Sequence, residues 1–430
     1  MNIFIVGISI FVLVYGAIVF ERVHKTVSAL IGASAMLMFH ILSQDEAFMA
    51  IDLNVIFLLI GMMIIVHIIS ETGVFQWGAI KLAQIAKGEP IRIMVFLGVA
   101  SAIVSAFLDN VTTMILMAPV LFIIADTLEV DPVPFLIMTV IASNIGGAAT
   151  LIGDPPNILI GSAAGLSFND FLFNLSPVIL IIMCFFYFTV KILFRKKLHV
   201  SSELKGRIIE MRPEKAIKDK VLLWKSLTVL GSVVFLFLIH HYLDLKVATI
   251  ALTGAAVLLL ITSKEPEDVF KHVEWSTIFF FVGLFVIVEG LVKIGFIEIV
   301  ANQAMKVTKG NLSITTLFLL WFSGIFSAVI DNIPYTATMI PLVKHVGLSL
   351  SQSLQMVNKD VMAPLWWSLS LGACLGGNGT VIGASANVII VGMAKKNGYK
   401  ISFFRFFKYG IIFLIESMLI SSVYLYLRYL

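Results

Sequence analysis

The chain has 430 residues, 59% of them hydrophobic and only 13% charged, with a mean hydropathy of +1.02. That is far from the balance of a soluble domain and points to an all-α polytopic membrane protein. The net charge of +4 comes without a basic tract interleaved with aromatics, which argues against nucleic acid as a partner. Cys184 and Cys374 both lie in apolar surroundings, so neither a disulfide framework nor a metal centre is expected, and no cofactor is called for.

The first apolar block, at 2–20, lacks a basic n-region and a small-residue cleavage site, so it is expected to be a retained helix and not a removed signal. Blocks at 27–43 and 54–70 follow, the latter carrying His67. The stretch 74–87 interleaves Trp77 and Ile80 with Lys81, Gln84 and Lys87, a pattern for a helix lying at the membrane interface. Blocks 91–108 and 111–125 are joined by little more than Asp109 and Asn110, which predicts a helical hairpin with a polar tip. The block 133–164 is too long for one simple span and is broken by glycines and prolines, and 176–194 closes the first half. The hydrophilic segment 195–222 carries Arg195, Lys196, Lys197, Lys205, Arg207, Arg212, Lys215, Lys218 and Lys220. It reads as a cytoplasmic linker between domains at 1–194 and 223–430. The second half then repeats the order: 223–240, 247–263, 276–293 with Glu289, an interfacial stretch at 296–309, a hairpin of 312–330 and 332–346, a broken block at 361–394, and 404–427.

These halves are a duplication. Moving the first by 222 positions lays Gly61 on Gly283, Gly73 on Gly295, Ser105-Ala106 on Ser327-Ala328, Asp109-Asn110 on Asp331-Asn332 and Pro119 on Pro341. Beyond that the offset becomes 230, laying Gly146-Gly147 on Gly376-Gly377, Thr150 on Thr380, Gly153 on Gly383 and Asn157 on Asn387. The eight extra residues are expected in a longer loop around 346–360. Composition bias can align leucines, but not such a series of Gly, Pro, Asp, Asn and Thr. Each half makes an odd number of crossings whether its hairpin spans or re-enters, so the second copy must be inverted. About ten spanning helices and two hairpins result. With residue 1 placed outside, the segments 21–26, 72–92, 126–132, the linker, 264–275 and 395–408 hold 23 of the 30 Lys and Arg residues, counting Lys191 and Lys225 at helix ends. The outside loop 43–53 has Asp45, Glu46 and Asp52 with no base. Both termini are therefore expected on the extracytoplasmic side of the cytoplasmic membrane.

Two paired motifs carry the chemistry. The tips hold Asp109, Asn110, Thr112 and Thr113 in one half and Asp331, Asn332 and Thr336 in the other. A carboxylate beside an amide and hydroxyls offers hard oxygen ligands for a small cation or a titrating proton, and an acidic group at membrane depth is a functional candidate. The breaks hold Asn144, Gly146, Gly147, Thr150, Asp154 and Asn157, matched by Gly377, Asn378, Thr380, Ser385 and Asn387. A broken helix frees carbonyls for a cation and aims a half-helix N-terminus at an anion. Each tip can also be read as a solvated turn, and each break as a proline kink or a close crossing of small residues. His67 and Glu289 occupy equivalent positions and could relay protons; a Glu289–Lys293 pair one helical turn apart is the competing reading. Cys374 reads as a small packed residue or a contact for a soft solute.

At these motifs the chain resembles the arsenite permease and sodium/proton antiporter (ArsB/NhaD) branch of the ion-transporter superfamily, which includes the melanosomal P protein and citrate-transporter-like domains. SAFLDNVTTMILMAP, GGAATLIGDPPN and SAVIDNIPYTATMIPLV carry the resemblance, which covers nearly the whole chain. The family is similar in architecture to divalent-anion/sodium symporters, which implies a scaffold and a transport domain of two opposed re-entrant hairpins and two broken helices. Those symporters carry Ser-Asn-Thr at the tips, whereas Asp-Asn here favours cation or proton coupling. The resemblance also implies a homodimer. The expected function is a secondary active transporter in the lipid bilayer, moving a small inorganic or organic ion by alternating access, with arsenite, another anion or sodium–proton exchange all open. Sodium or proton is the coupling ion. A channel-like anion conductor and a carboxylate/cation symporter stay open as alternatives. No HExxH or GxSxG motif supports an enzyme. The lack of a P-loop argues against a self-contained ATP pump and leaves room for a partner ATPase.

Overall fold

The computed structural model describes residues 2–20, 23–195, 198 and 200–430. Its first half comprises α1 (Ile3–Val19), α2 (Lys25–Met38), a short α3 (Gln44–Met49), α4 (Leu53–Glu71), α5 (Val74–Ile85), α6 (Pro90–Phe107), α7 (Asn110–Thr127), α8 (Val133–Gly147), α9 (Pro155–Ala164) and α10 (Phe168–Phe194). The second comprises α12 (Lys220–Ile239), α13 (Val247–Thr262), α14 (Pro266–Phe270), α15 (Trp275–Lys293), α16 (Phe296–Thr308), α17 (Leu312–Val329), α18 (Asn332–Leu354), α19 (Asn358–Gly376), α20 (Ser385–Lys396) and α21 (Phe403–Tyr429). Between them lie α11 (Ser202–Glu210) and a 3-10 turn at Pro213–Ala216. Among the described residues there is no strand. Among the described residues eight helices are long and apolar enough to cross a membrane: α4, α6, α7, α10, α12, α15, α17 and α21. Shorter apolar helices α1, α2, α8 and α13 accompany them.

The duplication reappears as equal helix starts. The offset of 222 carries the first residues of α2, α4, α5, α6 and α7 onto those of α13, α15, α16, α17 and α18. Helices α5 and α16 both leave a left-handed glycine, Gly73 at φ 81° and Gly295 at φ 78°, a conformation that costs a glycine nothing. One expectation fails. The extra residues of the second half do not form a loop at 346–360; they lengthen helices, with α18 running 23 residues against 18 in α7 and α19 running 19 against 15 in α8. A helix satisfies its own backbone, so residues added after Pro341 extend it through Gly347 to Leu354.

The two inverted halves are interleaved. Helix α2 packs on α15 while its counterpart α13 packs on α4; α7 packs on α20 while α18 packs on α9. The first exchange depends on two equivalent glycines. A Cβ at Gly61 would sit 2.7 Å from the carbonyl carbon of Ala251, and one at Gly283 would sit 2.7 Å from that of Ala29. Helices cross closely there because no side chain intervenes.

Polar contacts group the loops. Lys205 pairs with Glu89 at 2.7 Å, Arg207 with Glu129 at 3.1 Å and Lys264 with Glu71 at 2.7 Å, and Arg405 pairs with Asp131. Gln84 donates to the carbonyls of Ile209 and Met211 at 3.0 and 2.7 Å, and the Lys218 amide donates to Thr72 at 2.9 Å. The linker is thus docked on α5. Lys196 and Lys197, counted in that basic segment, and Glu21 and Arg22 of the 21–26 loop lie outside the described residues. Elsewhere, Lys293 pairs with Glu46 at 2.6 Å, and its hydrogen bond holds the Glu46 carboxyl down at about 2.

Candidate ion-binding site

Each hairpin turns at its aspartate because that residue caps the returning helix. Asp109 accepts the Thr112 amide at 2.7 Å and the Thr112 hydroxyl at 2.6 Å, and the Thr113 hydroxyl donates to the Asp109 carbonyl at 2.9 Å. Asp331 accepts the Ile333 amide at 3.2 Å. The cap oxygen takes up an amide that the first helical turn leaves unpaired. Each broken helix is held by one asparagine. Asn157 donates to the carbonyls of Ala148 (3.2 Å) and Thr150 (2.8 Å), and Asn387 donates to those of Gly377 (2.7 Å) and Thr380 (2.8 Å). The Thr150 hydroxyl donates to the Ala106 carbonyl, as Thr380 does to Ala328 at 2.5 Å. The two asparagines satisfy carbonyls of the broken segments, and the two threonines those in the last turns of α6 and α17.

The tips and loops then meet in a buried amide network. Asn144 donates to Asn378 at 3.0 Å and Asn387 at 3.1 Å, and accepts from Asn110 at 3.1 Å. The Asp154 carboxylate accepts from Asn110 at 3.4 Å and from Asn332 at 3.2 Å, so one first-half loop residue touches both tips. Ser370 donates to Asn157 at 2.6 Å. The Asn378 amide nitrogen and Thr336 hydroxyl are buried without a partner among the described residues. Gly146, Gly147 and Gly377 lie behind this network, where a Cβ would meet neighbouring backbone. Cys374 is buried with its sulfur 3.5 Å from Asn157.

A cavity of about 450 Å³ reaches this network. Asp109, Asp154, Glu274 and Asp331 line it, together with Lys25. The Lys25 ammonium lies 2.9 Å from Asp331 and donates to Ser385 at 2.7 Å. The helices α7, α9, α18 and α20 all present their first residue to the cavity: Asn110, Pro155, Asn332 and Ser385. Four helix N-termini therefore converge on one space. A second cavity, about 210 Å³, is lined by Asn54, His240, His241, Leu245, Lys246 and Val247. The offset of 222 carries Asn54 onto Ser276, and Ile18, Val19, Val23, His24 and Lys25, all lining the first cavity, onto those other five. The two cavities are the same place in the two halves, unequal in size. Beside the smaller one the Ser162 hydroxyl of α9 donates to Asp52, the cap of α4.

His67 and Glu289 line neither cavity. His67 stacks on His272 with ring centres 3.8 Å apart and lies 3.5 Å from Glu71. Glu289 is half-buried, and Lys293 turns to Glu46. Lys25, Glu274 and Ser370 are the site residues that motif reading passes over. For Lys25 the available signal is a break in the repeat, because its counterpart is Val247.

A family profile described as "Citrate transporter" (CitMHS) matches residues 15–372. Similar curated proteins include "Uncharacterized transporter Rv2684" of Mycobacterium tuberculosis, 41% identical over 99% of this chain and 98% of its own length. The "46 kDa membrane protein" of Mycobacterium leprae is 40% identical over 99% of each chain. The human "P protein" is 34% identical over 96% of this chain and 58% of its own length. Among solved structures, the YdaH transporter of Alcanivorax borkumensis matches with a TM-score of 0.63 at 10% identity, covering 100% of this chain and 99% of that one, which shows a shared fold. A duplicated helical membrane protein with paired hairpin tips and broken helices, matched over most of its length by transporters, this chain belongs to the citrate transporter (CitMHS) family.

Proposed function

We propose that this transporter is a secondary active carrier of the cytoplasmic membrane that couples a sodium ion or proton to the movement of a small ion by alternating access. The observation that carries this reading is the pair of equivalent, unequal cavities, about 450 and 210 Å³. In an inverted repeat, exchanging the two halves' conformations would shrink the first cavity and enlarge the second. A shared site would then be offered to each face in turn. A channel needs no such asymmetry. Cation coupling is supported by the lining, in which four carboxylates face one lysine.

A carboxylate substrate is the second reading. It rests on the family's description as citrate transporters and on the four helix N-termini, whose unpaired amides attract anions. Arsenite has no comparable observation behind it. The test is purified protein in liposomes, with sodium and proton gradients imposed separately against citrate, smaller carboxylates, oxyanions and arsenite. Saturable uptake that follows one gradient supports the carrier. Flux that neither saturates nor responds to a gradient would replace it with a conductor.

A further inference from the structure

We propose that Lys25 is a tethered competitor for the coupling cation: its ammonium occupies the cation position at the second hairpin tip and leaves when the ion arrives. The inference rests on the cation-coupled reading above and deepens it. The Lys25 ammonium takes a carboxylate oxygen of Asp331 at 2.9 Å and the Ser385 hydroxyl at 2.7 Å. Ser385 itself donates to the same Asp331 oxygen at 2.9 Å. A carboxylate and a hydroxyl are the hard oxygen donors that a small cation would use. The ammonium also lies 5.2 Å from the centre of the Phe280 ring on α15, whose face favours a positive charge.

The arrangement exists in one half only. The positions equivalent to Lys25 and Ser385 are Val247 and Pro155. Among the described residues the carboxylate of Asp109, the equivalent of Asp331, is bonded within its own tip, to Thr112. The connection also joins two helix groups, which touch besides at Tyr15, whose hydroxyl donates to the Pro334 carbonyl at 2.8 Å, and where α15 meets α18. Helix α2, which bears Lys25, packs on α1 and α15, whereas Asp331 and Ser385 belong to the hairpin and broken helix that pack on α9 and α7. While the ammonium sits on Asp331, it adds an ionic tie at the tip to the Tyr15 and α15 contacts that already join these groups. A free cation taking its place neutralises the carboxylate without the ionic tie, so ion binding loosens the hairpin's hold on α2. The other charged groups on the cavity are Asp109, Asp154 and Glu274, with His24 beside Lys25.

The test is charge movement in proteoliposomes on a solid-supported membrane, after a sodium jump at fixed pH and, separately, a pH jump at fixed sodium. Lys25→Met should lower the half-saturating concentration of the effective cation, by about tenfold for a competitor that holds the site nine-tenths of the time. Lys25→Arg should stay near the wild type. In Lys25→Met with Asp331→Asn, which removes the carboxylate that Lys25 had paired with should the single variant fold poorly, the gain should disappear. Unchanged half-saturation in Lys25→Met, or the same gain in the double variant, overturns the proposal while leaving cation coupling standing. No current from the wild type in either jump, together with no sodium- or proton-gradient-driven uptake in the liposome test, would remove cation coupling itself, and this inference with it.

Discussion

Asp109 has two jobs that a single substitution can separate. As a cap it accepts the Thr112 amide at 2.7 Å, and as a charge it lines the larger cavity. Asparagine caps a helix about as well as aspartate. Asp109→Asn should therefore change stability by no more than about 0.5 kcal/mol, leave expression normal and abolish ion-coupled flux in liposomes. Full flux in that variant would take Asp109 out of the mechanism. The tip residues were legible because an Asp-Asn pair between apolar arms, occurring twice, has few structural excuses. Lys25 was not legible. It counted as one more basic residue on the positive side, and only the folded chain brings it to Asp331, 306 positions away. Reading a repeat for agreement finds the shared frame, whereas reading it for disagreement would have found this lysine opposite Val247.

At the level of helices, the equivalent glycines put the duplication to a quantitative test. Gly61 and Gly283 bring α4 against α13 and α15 against α2, and in each case the nearest obstructing atoms are backbone. Backbone cannot rotate aside as a side chain can. Gly61→Val and Gly283→Val should each lower stability by about 1–3 kcal/mol, the range for an overfilled contact, and by similar amounts, read as thermal unfolding in detergent. A loss in one with none in the other would mean that the two crossings are not equivalent. Helix starts were largely legible, since they follow caps, prolines and glycines. The helix ends in the second half were not. A change of offset reveals that residues were added but not their conformation, and here the additions continue α18 and α19.

For the molecule as a whole, the loop contacts bear on sidedness. The charge count placed 72–92, 126–132, the linker, 264–275 and 395–408 together; the pairs Lys205–Glu89, Arg207–Glu129 and Arg405–Asp131 join members of that set, and Lys264 pairs with Glu71, the residue just before 72–92. Glu46, from the acidic loop assigned to the other side, pairs with Lys293 at the far end of α15. Contacts can group loops, but they cannot say which group faces the cytoplasm, and the excess of positive charge is the reason to choose. Asp45 and Glu267 are equivalent residues, both exposed, on α3 and α14. In parallel repeats they would share a face; in inverted repeats they cannot. Exposed Cys184 must first be replaced, while buried Cys374 can stay. In that background Asp45→Cys should react with a membrane-impermeant maleimide added to intact cells, and Glu267→Cys only after the membrane is opened. Reversed accessibility would turn the molecule over and keep the inverted repeat. Labelling of both from one side would end the inversion, and with it the argument that the two unequal cavities are alternate doors to one site.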